Sequence, residues 1–90
     1  MIRGYYIIEY TELLDKDRKY VIAKQILKSG TSIGANIREA QSAESKADFI
    51  HKLKISDKEA EETAYWLQLC KLSKSYPDPA DLETKLLEIK

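Results

Sequence analysis

The chain is predicted to be all-α: an up-down antiparallel four-helix bundle with shortened first and last helices, forming one domain over residues 1–90. Three observations carry this. Only 3 Gly and 2 Pro interrupt 90 residues, so long segments run without a breaker. Residues 49–70 repeat small and apolar side chains at steps of four and three, which is a helical seam and not a strand pattern. With 43% apolar and 33% charged residues, the composition is that of a folded, helix-rich chain and not a disordered one.

Gly4 precedes a first apolar stretch, Tyr5 to Leu14, which ends in the charged turn Asp15-Lys16-Asp17-Arg18-Lys19. The first helix is therefore expected to be about ten residues long. A second helix is expected from about Arg18 to about Ser42, with Ala23, Ile26, Gly30, Ile33, Ile37 and Ala40 on one face. Ser45, followed three residues later by Asp48, makes a capping-box-like start for the third helix, the acid standing in for the usual Glu or Gln. Along it, Phe49, Leu53, Ser56, Ala60, Thr63, Leu67 and Cys70 form the heptad seam and are expected to line the subunit core. That helix gives out near Ser75, Pro77-Asp78-Pro79 turns the corner, and Asp78 caps a last helix whose stripe is Leu82, Leu86 and Ile89.

The lengths do not match. A third helix of about 29 residues spans roughly 44 Å, while the 12 residues of the last reach about 18 Å. Either other subunits cover the remainder of the central pair, or the chain is a shortened form of something longer. A chain of this size also buries a modest fraction of its surface alone, which makes a shared core between copies an expectation.

The third helix carries a second apolar face. At about 100° per residue, Ile55, Trp66 and Leu69 fall well away from the Leu53/Ala60/Leu67 seam, and Tyr65 and Leu72 extend the stripe. Two readings stand: a central helix touched from several sides of its own bundle, or an oligomer interface formed by Ile55, Tyr65, Trp66, Leu69 and Leu72. The second is preferred because four short helices cannot cover both faces and Trp and Tyr are favoured anchors. Gly30 and Gly34 would allow close approach of another helix. Asn36, set among small and aliphatic residues, is expected to fix register through a polar contact across the bundle.

Three segments in this order carry a family resemblance: Ser29-Gly30-Thr31-Ser32-Ile33-Gly34-Ala35-Asn36-Ile37-Arg38-Glu39-Ala40, Ser45-Lys46-Ala47-Asp48-Phe49-Ile50-His51-Lys52-Leu53, and Glu59-Ala60-Glu61-Glu62-Thr63-Ala64-Tyr65-Trp66-Leu67. The chain resembles the bacterial four helix bundle proteins, also called 23S rRNA intervening-sequence proteins. The resemblance implies an up-down bundle assembling as a ring-like homopentamer. It also implies kinship to the accessory protein of diversity-generating retroelements, a basic pentamer that engages nucleic acid and a reverse transcriptase. The short first and last helices depart from the family pattern.

Fifteen Lys+Arg against 15 Asp+Glu give a net charge of zero, which excludes strong global attraction to nucleic acid or a membrane. The charge is nonetheless uneven: residues 16–58 hold ten basic against five acidic side chains. Arg18, Lys19, Lys24, Lys28, Arg38, Lys46 and Lys52 are the candidate phosphate contacts, should an assembly gather them into a ring. The alternative is an ordinary solvated face, since no stacking aromatics interleave them.

No catalytic constellation stands out. Asp48-x-x-His51 has the spacing of half a di-iron site, but His51 is the sole histidine and such sites need a second copy of the motif. Cys70 sits on the heptad seam, where a thiol behaves as a small apolar group. No Gly-rich phosphate loop is present. The longest apolar run at the N-terminus is Tyr5-Tyr6-Ile7-Ile8, too short for a secretion signal or a membrane span, and one Cys forms no internal disulfide; a cytoplasmic setting is expected. The functional expectation is a non-enzymatic oligomeric scaffold or adaptor without cofactor or metal, having nucleic acid or a nucleic-acid enzyme as candidate partner. The rivals are a purely structural homo-oligomer and a small metal-binding or catalytic bundle.

Overall fold

The computed structural model describes residues 2–89, with side chains from residue 5 to residue 84, as four helices, three of them long. They are α1 (Ile2–Lys16), α2 (Tyr20–Gln41), α3 (Lys46–Leu72) and α4 (Ala80–Ile89). α2 and α3 form the central pair, α1 packs on α2, and α4 bridges α1 and α3.

The first helix is 15 residues long, longer than its apolar stretch suggests. Asp15 and Lys16, expected to begin the turn, instead complete its last helical turn, because the stop lies further on. Arg18 adopts φ 61°, the Arg18 N–H donates to the Asp15 carbonyl at 3.0 Å, and the Lys19 N–H donates to the Leu14 carbonyl at 2.8 Å. This is a Schellman stop, built on an arginine where glycine is usual.

The α2–α3 pair is antiparallel, as its contacts show: Ser29 faces Thr63, Ile33 faces Ser56, and Glu39 faces Lys52. Ala23, Ile26, Gly30, Ile33 and Ala40 are buried as their spacing predicts, and Ile37 is half-buried. Ser45 caps α3, its Oγ accepting from the Asp48 N–H at 3.1 Å, and Asp78 Oδ1 accepts from the Ala80 N–H at 3.0 Å to open α4. Leu82 is buried; Leu86 and Ile89, the rest of that predicted stripe, have side chains outside the described residues.

α1 lies very close to α2. A Cβ placed on Gly30 would sit 2.7, 2.8 and 2.9 Å from Cδ1, Cγ2 and Cγ1 of Ile7, so the bare backbone at Gly30 is the surface on which Ile7 rests. Tyr10, also on α1, donates its hydroxyl to the Pro77 carbonyl at 2.7 Å and thereby holds the α3–α4 connection.

These contacts fix where the cover ends. Only five residues of α1 precede Ile7, about 8 Å of helix, while α2 continues about 16 Å past Gly30. α4, with 10 residues, reaches about 15 Å along an α3 that is roughly 40 Å long. Among the described residues the hairpin end of α2 and α3 therefore extends past α1 and α4, within an envelope of 46 × 20 × 18 Å.

Candidate functional site

The projecting end exposes what the heptad pattern assigns to the core. Ser56, Ala60, Thr63, Leu67 and Cys70 are buried, but Phe49 is 41% and Leu53 38% exposed, and neighbouring Ile50 is 41% exposed. The expectation that Phe49 and Leu53 line the subunit core is thus corrected: they occupy the same face of α3 as the buried rungs, where neither α1 nor α4 reaches.

The second apolar face of α3 is also placed. Tyr65, Leu69 and Leu72 point outward, Leu72 at 72% exposure, while Ile55 is half-buried. Trp66 differs from them: it is half-buried and packs against the subunit's own core. Its ring stands edge-on to Tyr65 at 5.2 Å between centroids, and its buried indole Nε1 has no hydrogen-bond partner. Trp66 therefore forms the shoulder between core and outer face rather than the centre of the outer stripe.

The hydrogen bonds across α2 and α3 come from small hydroxyls. Ser56 Oγ donates to the Ile33 carbonyl at 2.9 Å. Thr63 Oγ1 lies 2.8 Å from Ser29 Oγ and 2.8 Å from the Glu59 carbonyl; having one proton, it donates to the carbonyl and accepts from Ser29. Both bonds are buried, where a slip would strand them. Asn36, expected to reach across, instead donates Nδ2 to the Ser32 carbonyl of its own helix at 2.8 Å.

The seven candidate phosphate contacts do not converge within one subunit. Arg18 and Lys19 stand at one end of α2, with the Lys19 ammonium 4.8 Å from the Tyr76 ring centroid, and Arg38 is about 30 Å away along the helix. Lys24 and Lys28 are exposed between them, and Lys46 is exposed at the start of α3. Lys52 is bound to Glu39 at 3.1 Å. Arg38, Glu39, Asp48 and Lys52 share a groove of about 570 Å³ with Ala35 and Ser42, a mixed-charge surface and not a basic one.

A second groove of about 500 Å³ lies between α1 and the start of α4, lined by Tyr6, Glu9, Tyr10, Leu13, Asp78, Asp81 and Leu82. At its edge burial pushes the Tyr10 phenol well above its usual range, with the hydrogen-bonded Cys70 thiol contributing. Burial likewise raises Cys70. Burial holds both groups neutral, and the phenol proton is directed at the Pro77 carbonyl. No group of three or more His, Cys, Asp or Glu among the described residues could hold a metal. Sequence reasoning missed the Tyr10–Pro77 latch because its partners are 67 positions apart and no periodicity links them.

Residues 5–90 match the 23S rRNA-intervening sequence protein family. The chain belongs to this family. A solved structure of a protein of unknown function from the S23 ribosomal protein family of Bacteroides thetaiotaomicron is 43% identical, with a TM-score of 0.74, covering 96% of this chain and 89% of that one. Among curated proteins nothing matches. Among the described residues no helix is long and apolar enough to cross a membrane.

Proposed function

We propose that this family member is a non-enzymatic, cytoplasmic scaffold: an up-down antiparallel four-helix bundle that works as a homo-oligomer, with five copies favoured, and presents basic side chains to RNA, DNA or an enzyme acting on them. One observation carries the oligomer. Phe49 and Leu53 continue the core side of α3 into solvent, Ile50 beside them is exposed as well, and a lone subunit gains nothing by leaving such a surface wet. Repetition in an oligomer would bring copies of Lys24, Lys28, Arg38 and Lys46, scattered in one chain, into proximity. The description of the family refers to 23S rRNA, which makes RNA the first nucleic acid to test.

Light scattering at micromolar concentration should give a multiple of the 10.4 kDa chain mass; a clean monomer refutes the scaffold. Gel shifts in about 50 mM salt should then show RNA binding of low sequence preference that salt abolishes, because phosphate contacts position without reading bases. Absence of any complex with single-stranded RNA, duplex RNA or DNA removes the nucleic-acid part and leaves the structural oligomer.

A further inference from the structure

We infer that α4 is a flap: it lifts from α1 and α3 while α1, α2 and α3 stay folded together, and its lifting is what bares the Cys70 thiol. Such a flap requires neither the oligomer nor the nucleic acid proposed above. Three features of the subunit point to it.

The first is separability. Among the described residues α4 packs on α1 and α3 and not on α2. The contacts that join the other three helices run elsewhere: Ser29 to Thr63 and Ser56 to the Ile33 carbonyl tie α2 to α3, and Ile7 on Gly30 ties α1 to α2. Lifting α4 breaks none of them. With 10 residues, α4 is below the roughly 12–15 at which an isolated helix becomes marginal in water, so it keeps its shape by lying on its neighbours. Undocking and unwinding are then one event, confined to the segment beyond the α3 cap at Ser73.

The second is the way α4 is held at its start. Residues 73–79 contain no helix and join it to α3. Tyr10 on α1 donates its hydroxyl to the Pro77 carbonyl at 2.7 Å, and Asp78 Oδ1 accepts from the Ala80 N–H at 3.0 Å. The first is a latch between helices, the second a cap on α4 itself. One bond of the latch kind biases an equilibrium by about two- to tenfold, enough to tune opening and too little to forbid it.

The third is what lies beneath. Cys70 is 2% and Tyr10 5% exposed. Glu83, in the first turn of α4, acts electrostatically on both, which sets that turn beside them. With α4 down, the one cysteine of the chain is shielded and inert; with α4 up, solvent and reagents reach it.

Thiol labelling of the intact protein tests this. With an aryl disulfide in excess, the Cys70 thiolate attacks the reagent's disulfide and releases one aryl thiolate, read by its absorbance; no other cysteine is present. Asp78→Ala removes the α4 cap and should speed labelling about fivefold, and Tyr10→Phe removes the latch and should speed it about two- to tenfold. Ser45→Ala removes an equivalent cap at the far end of α3 and should leave the rate unchanged, although it lowers global stability. Equal acceleration by Ser45→Ala and Asp78→Ala would mean that the thiol reacts through unfolding of the whole subunit, which overturns the flap. No acceleration by Asp78→Ala overturns it as well. The unmodified protein gives an independent reading that stands even where a variant fails to fold. Labelling through α4 should change little with urea below the unfolding transition, because little surface is exposed, whereas a rate that follows the full unfolding slope overturns the flap.

Discussion

Replacing Gly30 by alanine tests the close approach of α1 to α2. In an ordinary helix interior this change stabilises by about 1 kcal/mol, because alanine restricts the unfolded backbone. Here the new methyl would meet Ile7 Cδ1 at 2.7 Å, Cγ2 at 2.8 Å and Cγ1 at 2.9 Å, against an optimum of roughly 3.5–4.0 Å between carbons. Ile7 cannot swing clear, since it is 3% exposed and β-branched, with χ1 restricted by the helix. Relief requires α1 to move outward, and such overpacking costs about 1–3 kcal/mol. Gly30→Ala should therefore be neutral to destabilising, by about 0–2 kcal/mol, and never stabilising. Urea unfolding followed by circular dichroism at fixed protein concentration measures it. Ile7→Ala should cost about 2–5 kcal/mol alone, and in that background Gly30→Ala should turn stabilising, a coupling of about 1–3 kcal/mol. A gain of about 1 kcal/mol from Gly30→Ala in the otherwise unaltered chain would show that α1 does not rest on α2 at this point.

Arg18→Gly should raise stability by about 0.5–1 kcal/mol, read as a higher urea midpoint, because Arg18 holds φ 61° in the position where glycine carries no Cβ penalty. Ser45→Ala should lower it by about 1 kcal/mol by removing the cap on the Asp48 N–H. Tyr10 and Cys70 are both raised in the folded chain, so each favours folding while neutral. Their contribution is full below the ordinary values of 9.0 for the thiol and 10.0 for the phenol and is lost as pH climbs beyond them. Tyr10→Phe should accordingly flatten the alkaline limb of a stability-versus-pH curve while costing about 0.5–1.5 kcal/mol at neutral pH for the lost bond to Pro77.

Much of this architecture was legible in local patterns. The buried faces of α2 and of the second half of α3 follow their spacing, and the Ser45 and Asp78 caps sit where helix-start chemistry puts them. What escaped was set at a distance. The seam of α3 has one phase from Phe49 to Cys70, and nothing within it shows that cover stops near its middle; that depends on where α1 and α4 run. The length of α1 was underestimated because charged residues suggest a turn, whereas this helix ends only where its backbone enters the left-handed region, at Arg18.

The polar core shows how the small hydroxyls and Asn36 differ within the subunit. A large amide between helices needs several partners and a wide gap, whereas this interface is narrow enough to bring Ser29 and Thr63 oxygens within 2.8 Å. At such spacing hydroxyls can cross between helices without displacing apolar contacts. Asn36 meets its need with the Ser32 carbonyl one turn back on its own helix, a bond that carries no information about the partner helix. Within the subunit the bonds that cross between α2 and α3 are made by Ser29, Ser56 and Thr63, residues that a hydropathy pattern counts as mere gaps. Because these bonds are buried near the middle of α2 and α3, they pin the pair while leaving the hairpin end free of register demands of its own. Lys52 and Glu39 are the sole ion pair among the described residues there, and they lie on the exposed flank. The uncovered Phe49, Ile50 and Leu53 can consequently be held in place by the subunit and still be completed by something outside it.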